Sequence, residues 1–427
     1  MALVIFLGAL FGGMLIGLPI AYALLVSAVA LMFHLDLFDA QIIAQNLING
    51  PNSFTLLAVP FFLLAGEVMN TGGLSKRIVT VAMALVGHKR GGLGYVTIIA
   101  SVLLASLSGS AVADAAALAT LLVPMMVAAG HARGRAVGLV ASGGIIGPVI
   151  PPSIPFILFG VTGGVSISKL FLAGIVPGIL MGTGLAITWW LMSRHEDMST
   201  HPKQTTRDVM KALAEGIWAL MLPLIIIFGL KFGIFTPTEA AVVAAVYALF
   251  VAVFIYRELK PAQVFEVFVT AAKSTGVVMF LVAAALVAAW LITVADLPGQ
   301  TVALLKPLMG NQTVLMLAMV AILFAVGCVM DLTPIILILT PVLLPVAKQA
   351  GIDPVYFGVI FVVCGSIGLI TPPVGTVLNV VAGATRSSMT AVVKGVIPFL
   401  IAHSVVLLLL ILFPALVIVP ARWLSGS

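Results

Sequence analysis

The strongest constraint on how this chain can fold is a duplication that places helix breakers at matching points of its two halves. Pro151-Pro152 lies in SGGIIGPVIPPSIP, and Pro372-Pro373 lies in CGSIGLITPPVGTV, 221 positions later. A proline inside a helix removes an amide donor and clashes with the preceding turn. The two halves are therefore predicted to be one structural unit used twice. Other Gly and Pro residues obey the same offset without a gap: Pro124 and Pro345, Gly130 and Gly351, Gly144 and Gly365, Gly147 and Gly368, Gly174 and Gly395, Pro177 and Pro398.

Composition decides the class of protein. Hydrophobic residues make up 62% of the 427 residues and charged residues only 8%, a balance that excludes a water-soluble globule and predicts an all-α polytopic membrane protein. The first apolar run, about 3–33, lacks a basic start and is too long for a signal-peptide core, so it is predicted to be one retained transmembrane helix. A duplication that preserves breakers inside apolar segments is typical of secondary transporters.

Charge and cysteine usage exclude other classes. The net charge of +6 comes from basic residues in short loops, where they act as orientation signals, so no nucleic-acid partner is predicted. Cys328 and Cys364 lie singly in apolar stretches without metal or redox spacing. They are predicted to be small buried hydrophobes.

The apolar segments fall into ordinary and interrupted spans. Two stretches, about 136–165 and 355–383, carry the Pro-Pro pairs in mid-run, so each is predicted to be a transmembrane helix broken into two half-helices. Stretches long enough to cross about 30 Å of hydrocarbon without a break are predicted at 3–33, 54–71, 170–192, 213–231, 237–256, 275–295 and 395–420.

Each broken helix is preceded by a pair of apolar runs with a short polar joint. The joints are SLSGSAVAD in the first half and GCVMDLTP in the second, and both are too short to reach water and return. Re-entrant helical hairpins are therefore predicted at about 93–129 and 312–348. Irregular backbone at mid-membrane must be buried in protein or line a polar cavity, so the hairpin tips and the helix breaks are expected to lie together.

Loop charge predicts that the two repeats are inverted in the membrane. The loop after the first hairpin contains Arg133 and Arg135, whereas the equivalent loop in the second half, GIDP, contains Asp353 and no base. Because positively charged loops stay in the cytoplasm, the two equivalent loops are expected on opposite sides.

A polar cytoplasmic linker at 193–211 is predicted to divide a first repeat, 1–192, from a second, 212–427. Segments 76–87 and 261–273 mix apolar with charged residues. They are predicted to be interfacial arm helices, with ordinary loops as the alternative.

These motifs together resemble the large membrane subunit (DctM type) of a tripartite ATP-independent periplasmic (TRAP) transporter: SGSAVADAAAL, ASGGIIGPVIPPSIPFILFGVTGGVSISKLFLAGIVPG, FTPTEAA, LTPIILILTPVLLP and GLITPPVGTVLNVVAG. The resemblance covers nearly the whole chain. It implies sodium-coupled uptake of an organic acid anion across the bacterial inner membrane by an elevator mechanism, with a transport domain of hairpins and broken helices moving past a scaffold of spanning helices. It also implies a small four-helix membrane subunit and a periplasmic substrate-binding protein as partners.

The substrate stays open at this point. A sialic acid, another sugar acid and a C4-dicarboxylate all fit the resemblance, and the SGSAVAD form of the first tip favours sugar acids. No cofactor is expected apart from sodium as the coupling ion.

Two pseudo-symmetric sodium sites are predicted at the tips and breaks. Sodium needs several oxygen ligands, and unwound backbone rich in Gly, Ser, Thr and Pro offers carbonyls freed from helical pairing. The first site would use Ser106, Ser108, Gly109, Gly144, Gly147 and Ile150, and the second Gly327, Asp331, Gly365, Gly368, Thr371 and Thr376. The alternative for the hydroxyl groups and for Asp331 is capping of the half-helices.

The substrate carboxylate has no basic residue at the tips or breaks to bind it. Half-helix N-termini after Ser110, Pro152, Thr333 and Pro373 would supply open amides and positive dipole ends instead. Thr333 is predicted to be an N-cap with Pro334 at the first helical position. The side chains predicted to contact the substrate are Ser108, Ser110, Ser153, Thr376 and Asn379.

Three other functions compete with this one. A stand-alone sodium or proton symporter for dicarboxylates could have the same hairpins and breaks. An intramembrane enzyme is not expected, because no H-E-x-x-H motif or recurring Ser/His or Asp/Asp pair exists. A channel is disfavoured because two occluding hairpins with matched breaks suit alternating access.

Overall fold

The computed structural model describes residues 1–194 and 204–425, with all side chains there except those of Leu3, Ser106, Leu107 and Ser108. Within these ranges the fold is all-helical, without strands. Eight of the helices are long and apolar enough to cross a membrane. The predicted all-α polytopic class is confirmed.

The first half contains ten α-helices. They are α1 (Ala2–Leu15), α2 (Ile20–His34), α3 (Ala40–Asn49), α4 (Ala58–Thr71), α5 (Leu74–Val86), α6 (Gly92–Ser108), α7 (Ala111–Ala128), α8 (Arg133–Gly144), α9 (Ile154–Gly163) and α10 (Ile167–Ser193). The second half repeats the order with α11 (Thr206–Lys231), α12 (Pro237–Phe250), α13 (Pro261–Val294), α14 (Leu297–Leu305), α15 (Gln312–Gly327), α16 (Leu332–Gln349), α17 (Pro354–Gly368), α18 (Thr376–Thr385), α19 (Met389–Leu412) and α20 (Ala415–Ser425).

The 221-residue offset holds in three dimensions. Helix α7 shifted by 221 gives the bounds of α16, and α6, α8, α9 and α10 fall on α15, α17, α18 and α19 to within a few residues. Contacts also exchange between the halves, because α7 packs on α18 while its equivalent α16 packs on α9. Both hairpins and both broken helices lie where the sequence predicts them.

The first predicted span, 3–33, is wrong. The structure divides it into α1 and α2, which pack against each other. Gly17 adopts a left-handed conformation (φ 87°) and Pro19 caps α2, so the sequence Gly17-Leu18-Pro19 makes a turn there. At about 1.5 Å per residue, neither helix alone would cross about 30 Å of hydrocarbon.

The arm segments differ from the prediction as well. Segment 76–87 is helical as α5, whereas 261–273 is the start of α13, which continues unbroken to Val294. The repeat offset pairs α5 with α14, and it pairs α3 with the first turns of α13. Of the predicted linker at 193–211, residues 195–203 lie outside the described part and α11 already begins at Thr206.

We divide the helices into two groups, between which α5 packs on α6 and both α13 and α14 pack on α16. An outer group consists of α1–α5 and α11–α14, in which α4 packs on α12, α5 on α11 and α2 on α13. A central group consists of α6–α10 and α15–α20 and contains the hairpins and broken helices. The spans α10 and α19, predicted as ordinary spanning helices, belong to this central group because α19 packs on α8 and α10 on α17.

Glycines bring α19 onto α8. A Cβ atom at Gly138 would lie 2.3 Å from the carbonyl oxygen of Gly395, and one at Gly395 would lie 1.8 Å from that of Gly134. Small residues at helix crossings let backbones approach closely in membranes. The first half of the broken helix is consequently sealed in protein, with every residue from Ala136 to Gly144 buried.

Candidate functional site

The first hairpin tip lies directly on the first helix break, and we call this pair the first cradle (residues 109–110 and 145–153). Gly109 has a left-handed conformation (φ 61°), and a Cβ atom there would lie 2.8 Å from the Pro152 carbonyl oxygen and 3.2 Å from the Ile154 amide nitrogen. Only glycine fits this approach without displacing the break.

Two predicted glycines of the broken helix face the start of α7. A Cβ atom at Gly144 would lie 2.6 Å from that of Ala115, and one at Gly147 would lie 2.7 Å from a carboxylate oxygen of Asp114. Asp114 is buried in the first turn of α7. The first cradle therefore has a carboxylate beside its break.

Serine hydroxyls cap both half-helices of the first cradle. Ser110 accepts a hydrogen bond from the Ala113 amide at 3.4 Å. Ser153, which is fully buried, accepts one from Phe156 at 3.3 Å and donates to the Pro148 carbonyl. These are the capping contacts named as the alternative. The predicted side-chain roles of Ser106 and Ser108 lie outside the described part of the chain.

Helix α10 covers the break from the other side. A Cβ atom at Gly174 would lie 2.3 Å from the Val149 carbonyl oxygen, and one at Gly178 would lie 2.2 Å from the Ile150 side chain. Every residue from Ile145 to Ser153 is buried. The Ile150 carbonyl, a predicted sodium ligand, thus belongs to an enclosed backbone segment.

The second hairpin tip also lies on its break, and this pair is the second cradle (residues 328–331 and 369–375). The Val374 amide donates a hydrogen bond to the Cys328 carbonyl at 3.2 Å. A Cβ atom at Gly368 would lie 2.7 Å from Cα of Gly327, and one at Gly365 would lie 2.4 Å from the Leu332 side chain. The expectation that tips and breaks lie together is met in both halves.

Asp331 lies at the N-terminus of α16 as its N-cap residue, at the repeat position of Ser110. The predicted cap at Thr333 is wrong, because α16 begins at Leu332 and its N-cap residue is Asp331, two residues before Thr333. The Thr376 side chain lies beside the Asp331 carboxylate. Two predicted sodium ligands therefore meet at the second cradle.

Two other predicted side chains have local partners. Thr371 donates from Oγ1 to the Ile367 carbonyl at 2.8 Å. Asn379 is exposed and donates from Nδ2 to the Val374 carbonyl at 2.9 Å. This hydrogen bond links α18 to the second break.

The sequence analysis missed a cavity beside the first tip. A space of about 370 Å³ separates Ser110 from α4 and α13, and Glu67, Asn70 and Ser274 supply its other polar groups. Glu67 is the one acidic residue of the 54–71 span and is predicted from the sequence to pair or to extend to the interface. Helix packing, which places α4 and α13 beside Ser110, gave no signal in the sequence.

Comparisons with known proteins agree with this geometry. Residues 7–416 match the family described as the tripartite ATP-independent periplasmic transporter, DctM component. The Escherichia coli 2,3-diketo-L-gulonate TRAP transporter large permease protein YiaN is 56% identical over 100% of both chains. The Vibrio cholerae sialic acid TRAP transporter large permease protein SiaM is 37% identical over 96% of this chain and 95% of its own.

A further relative and one solved structure extend the comparison. The Pseudomonas aeruginosa C4-dicarboxylate TRAP transporter large permease protein DctM is 36% identical over 93% of this chain and 92% of its own. The crystal structure of the Alcanivorax borkumensis YdaH transporter matches with a TM-score of 0.66 over 88% of this chain and 90% of that one, at 18% identity. That likeness concerns the fold alone.

Proposed function

Since the chain belongs to the DctM component family of tripartite ATP-independent periplasmic transporters, we propose that it is the sodium-coupled permease for a sugar acid, which it moves inward across the bacterial inner membrane. The family is a transporter permease and not an enzyme. The stand-alone symporter is set aside, because the TRAP large permease YiaN matches along the whole chain.

Sodium coupling is supported by the contact between each hairpin tip and the helix break of its own repeat. Prolines at 148, 151 and 152 lack amide donors, so carbonyl groups in this segment cannot all accept hydrogen bonds from a regular helix. They need other partners. At the second cradle, the Asp331 carboxylate and the Thr376 hydroxyl add side-chain oxygens. Oxygen ligands held by unwound backbone suit a hard cation such as sodium.

A sugar acid is the substrate class that we favour. YiaN, at 56% identity, is named for 2,3-diketo-L-gulonate, whereas the relatives named for sialic acid and C4-dicarboxylates are 37% and 36% identical. The amide ends of α7 and α9, both capped by serine, would receive the substrate carboxylate.

Transport would proceed by an elevator movement. The central group of helices would carry sodium and substrate past the outer group as one body, because its hairpins, broken helices, α10 and α19 pack on each other. A small four-helix membrane subunit would bind the outer group, and a periplasmic binding protein would deliver the substrate. The inverted arrangement of the repeats belongs to the same proposal.

Reconstituted uptake tests the proposal. The chain, its small subunit and its binding protein are placed in proteoliposomes, and uptake of labelled 2,3-diketo-L-gulonate is measured with an inward sodium gradient. We expect uptake that requires sodium and the binding protein together. Equal uptake with potassium in place of sodium, or equal uptake without the binding protein, would contradict it.

A further inference from the structure

The cavity beside the first tip has an unusual set of polar groups. It lies between α4, the start of α7 and α13, and its polar lining consists of Glu67, Asn70, Ser110 and Ser274, with apolar side chains around them. No Lys, Arg or His is among the described residues that line it. An anion entering this cavity therefore meets a carboxylate and no side-chain cation.

Glu67 is the residue that needs an explanation. It lies half-buried near the end of α4, in a segment of membrane-spanning length, where a carboxylate is costly and marks function by default. Glu67 makes no hydrogen bond or ion pair with any residue in 1–194 or 204–425. Of the two bases that follow Glu67 in α5, Lys76 and Arg77, the second pairs instead with Glu258 at 2.7 Å and stacks on Tyr256.

The other polar groups of the cavity also keep unused hydrogen-bonding capacity. Asn70 accepts from Ser75 through its amide oxygen at 2.8 Å, which leaves its two N–H donors without an acceptor in the described structure. Ser274 is exposed on α13 and has no partner there either. The cavity thus combines a carboxylate acceptor, amide donors and a hydroxyl.

Such a set recognises hydroxyl groups. A carboxylate accepts strong, charge-assisted hydrogen bonds from vicinal hydroxyls, whereas it repels a second carboxylate in a site of low dielectric. A sugar acid has one carboxylate and several hydroxyl or carbonyl groups, and a C4-dicarboxylate has a carboxylate at both ends. The lining therefore matches the uncharged end of a sugar acid.

We propose that this cavity holds the hydroxyl-bearing end of the substrate, and that Glu67 is a specificity-determining residue that excludes dicarboxylates. The proposal rests on the proposed function, which places the substrate carboxylate at the amide ends of α7 and α9. Asn70 and Ser274 complete the recognition of the hydroxyl groups. Substrate bound in this way bridges the central group and the outer group of helices.

Direct binding to the membrane complex tests the proposal without the selectivity of the binding protein. The chain is purified with its small subunit in saturating sodium chloride, and titration calorimetry measures the affinity for 2,3-diketo-L-gulonate and for succinate. We expect the complex to bind the sugar acid and to bind succinate at least tenfold more weakly. In Glu67→Gln, succinate should bind about tenfold more tightly and the sugar acid about tenfold more weakly.

Control variants separate a local effect from a loss of folding. Glu67→Asp keeps the charge and should keep the selectivity. Glu266→Gln removes an exposed carboxylate of α13 that does not line the cavity, and it should behave as the unmodified protein. Asn70→Leu should weaken the sugar acid without strengthening succinate. Melting temperatures of all variants are compared with that of the unmodified complex.

The outcomes distinguish this inference from the proposed function. Binding of the sugar acid with selectivity unchanged in Glu67→Gln overturns the role of Glu67 alone. Succinate binding as tight as the sugar acid in the unmodified complex overturns the exclusion of dicarboxylates. Binding of neither acid in the presence of sodium overturns the proposed substrate class, and the inference with it.

Discussion

The two cradles come from one repeated sequence, yet the break of the first is buried and part of the second break is exposed. Residues 145–153 of the first break are all buried, whereas Pro372, Pro373 and Val374 of the second are exposed. The difference lies in the covering helix. Gly178 lets α10 close on the first break, but its repeat equivalent on α19 is Phe399, which stacks on Trp189 instead.

The charges and cavities of the two tips differ as well. Ser110 of the first tip is matched by Asp331 of the second. The first tip adjoins the cavity with Glu67, whereas a cavity beside the second tip is lined by apolar side chains apart from Thr301. The duplication thus preserves the backbone geometry, whereas a substitution at a matching position places a carboxylate at the second tip, and a polar cavity adjoins the first.

The largest effect is expected at the backbone contact of the second cradle. In Gly368→Ala, the new methyl group would overlap Gly327 main-chain atoms 2.7 Å away, which cannot rotate aside. We expect a loss of about 1–3 kcal/mol in stability and near-complete loss of sodium-dependent uptake. Melting temperature and proteoliposome uptake measure the two effects.

Gly383→Ala is the matched control, since a Cβ atom there, one helix turn or more beyond the break in α18, meets nothing within 4 Å. It should leave both properties unchanged. If the two variants behave alike, close contact between the second tip and its break is not required for transport.

A smaller effect is expected from the Asp331 carboxylate, which distinguishes the second tip from the first. Asp331→Asn removes the carboxylate of the second cradle and keeps its shape. Loss of one ligand charge should raise the sodium concentration for half-maximal uptake about tenfold. Asp36→Asn, at an exposed loop position, serves as control, and an unchanged sodium dependence in Asp331→Asn would remove this residue from the ion site.

The smallest effect is expected on the pH dependence of stability, from a residue in the loop that follows the first hairpin. His131, in the first-half loop between α7 and α8, is matched by Ile352 in the second. Burial, with the charge of Arg135 as a second cause, lowers the pKa of His131 below its usual value of 6.5. The ring packs on Trp189, and its Nδ1 atom is buried without a hydrogen-bond partner in the described ranges.

Because the unfolded chain binds the proton more readily, stability is full above pH 6.5 and falls as the pH drops through the lowered pKa of His131. His131→Ile, which copies the second repeat, should remove this loss and raise the melting temperature at pH 5.5 by about 1–2 °C relative to pH 7.5. An identical pH dependence in both proteins would show that His131 does not titrate between these values.

Much of the architecture could be predicted because its signals are local. Proline pairs inside apolar runs gave both breaks, and short polar joints gave both hairpins. The turn at Gly17-Leu18-Pro19 was missed because the run from 3 to 33 is apolar throughout, so hydropathy alone gives a single span. The continuous α13 was missed because charged residues at 261–273 resemble an interface segment, although they are part of one long helix.

The site was predictable in its backbone and less so in its side chains. The glycines 109, 147 and 368 lie at close approaches between tip and break, and the repeat pairs Gly147 with Gly368. Glu67 and Ser274 come from helices remote in sequence, so only packing brings them to Ser110.

Equilibrium binding of radioactive sodium to the purified complex tests the central claim most directly, because it counts the cradles that hold an ion. The account predicts two sodium ions per chain, one ion in Gly147→Ala or Gly368→Ala, and none in the double variant. Absence of saturable sodium binding, or two ions in all four proteins, would contradict it.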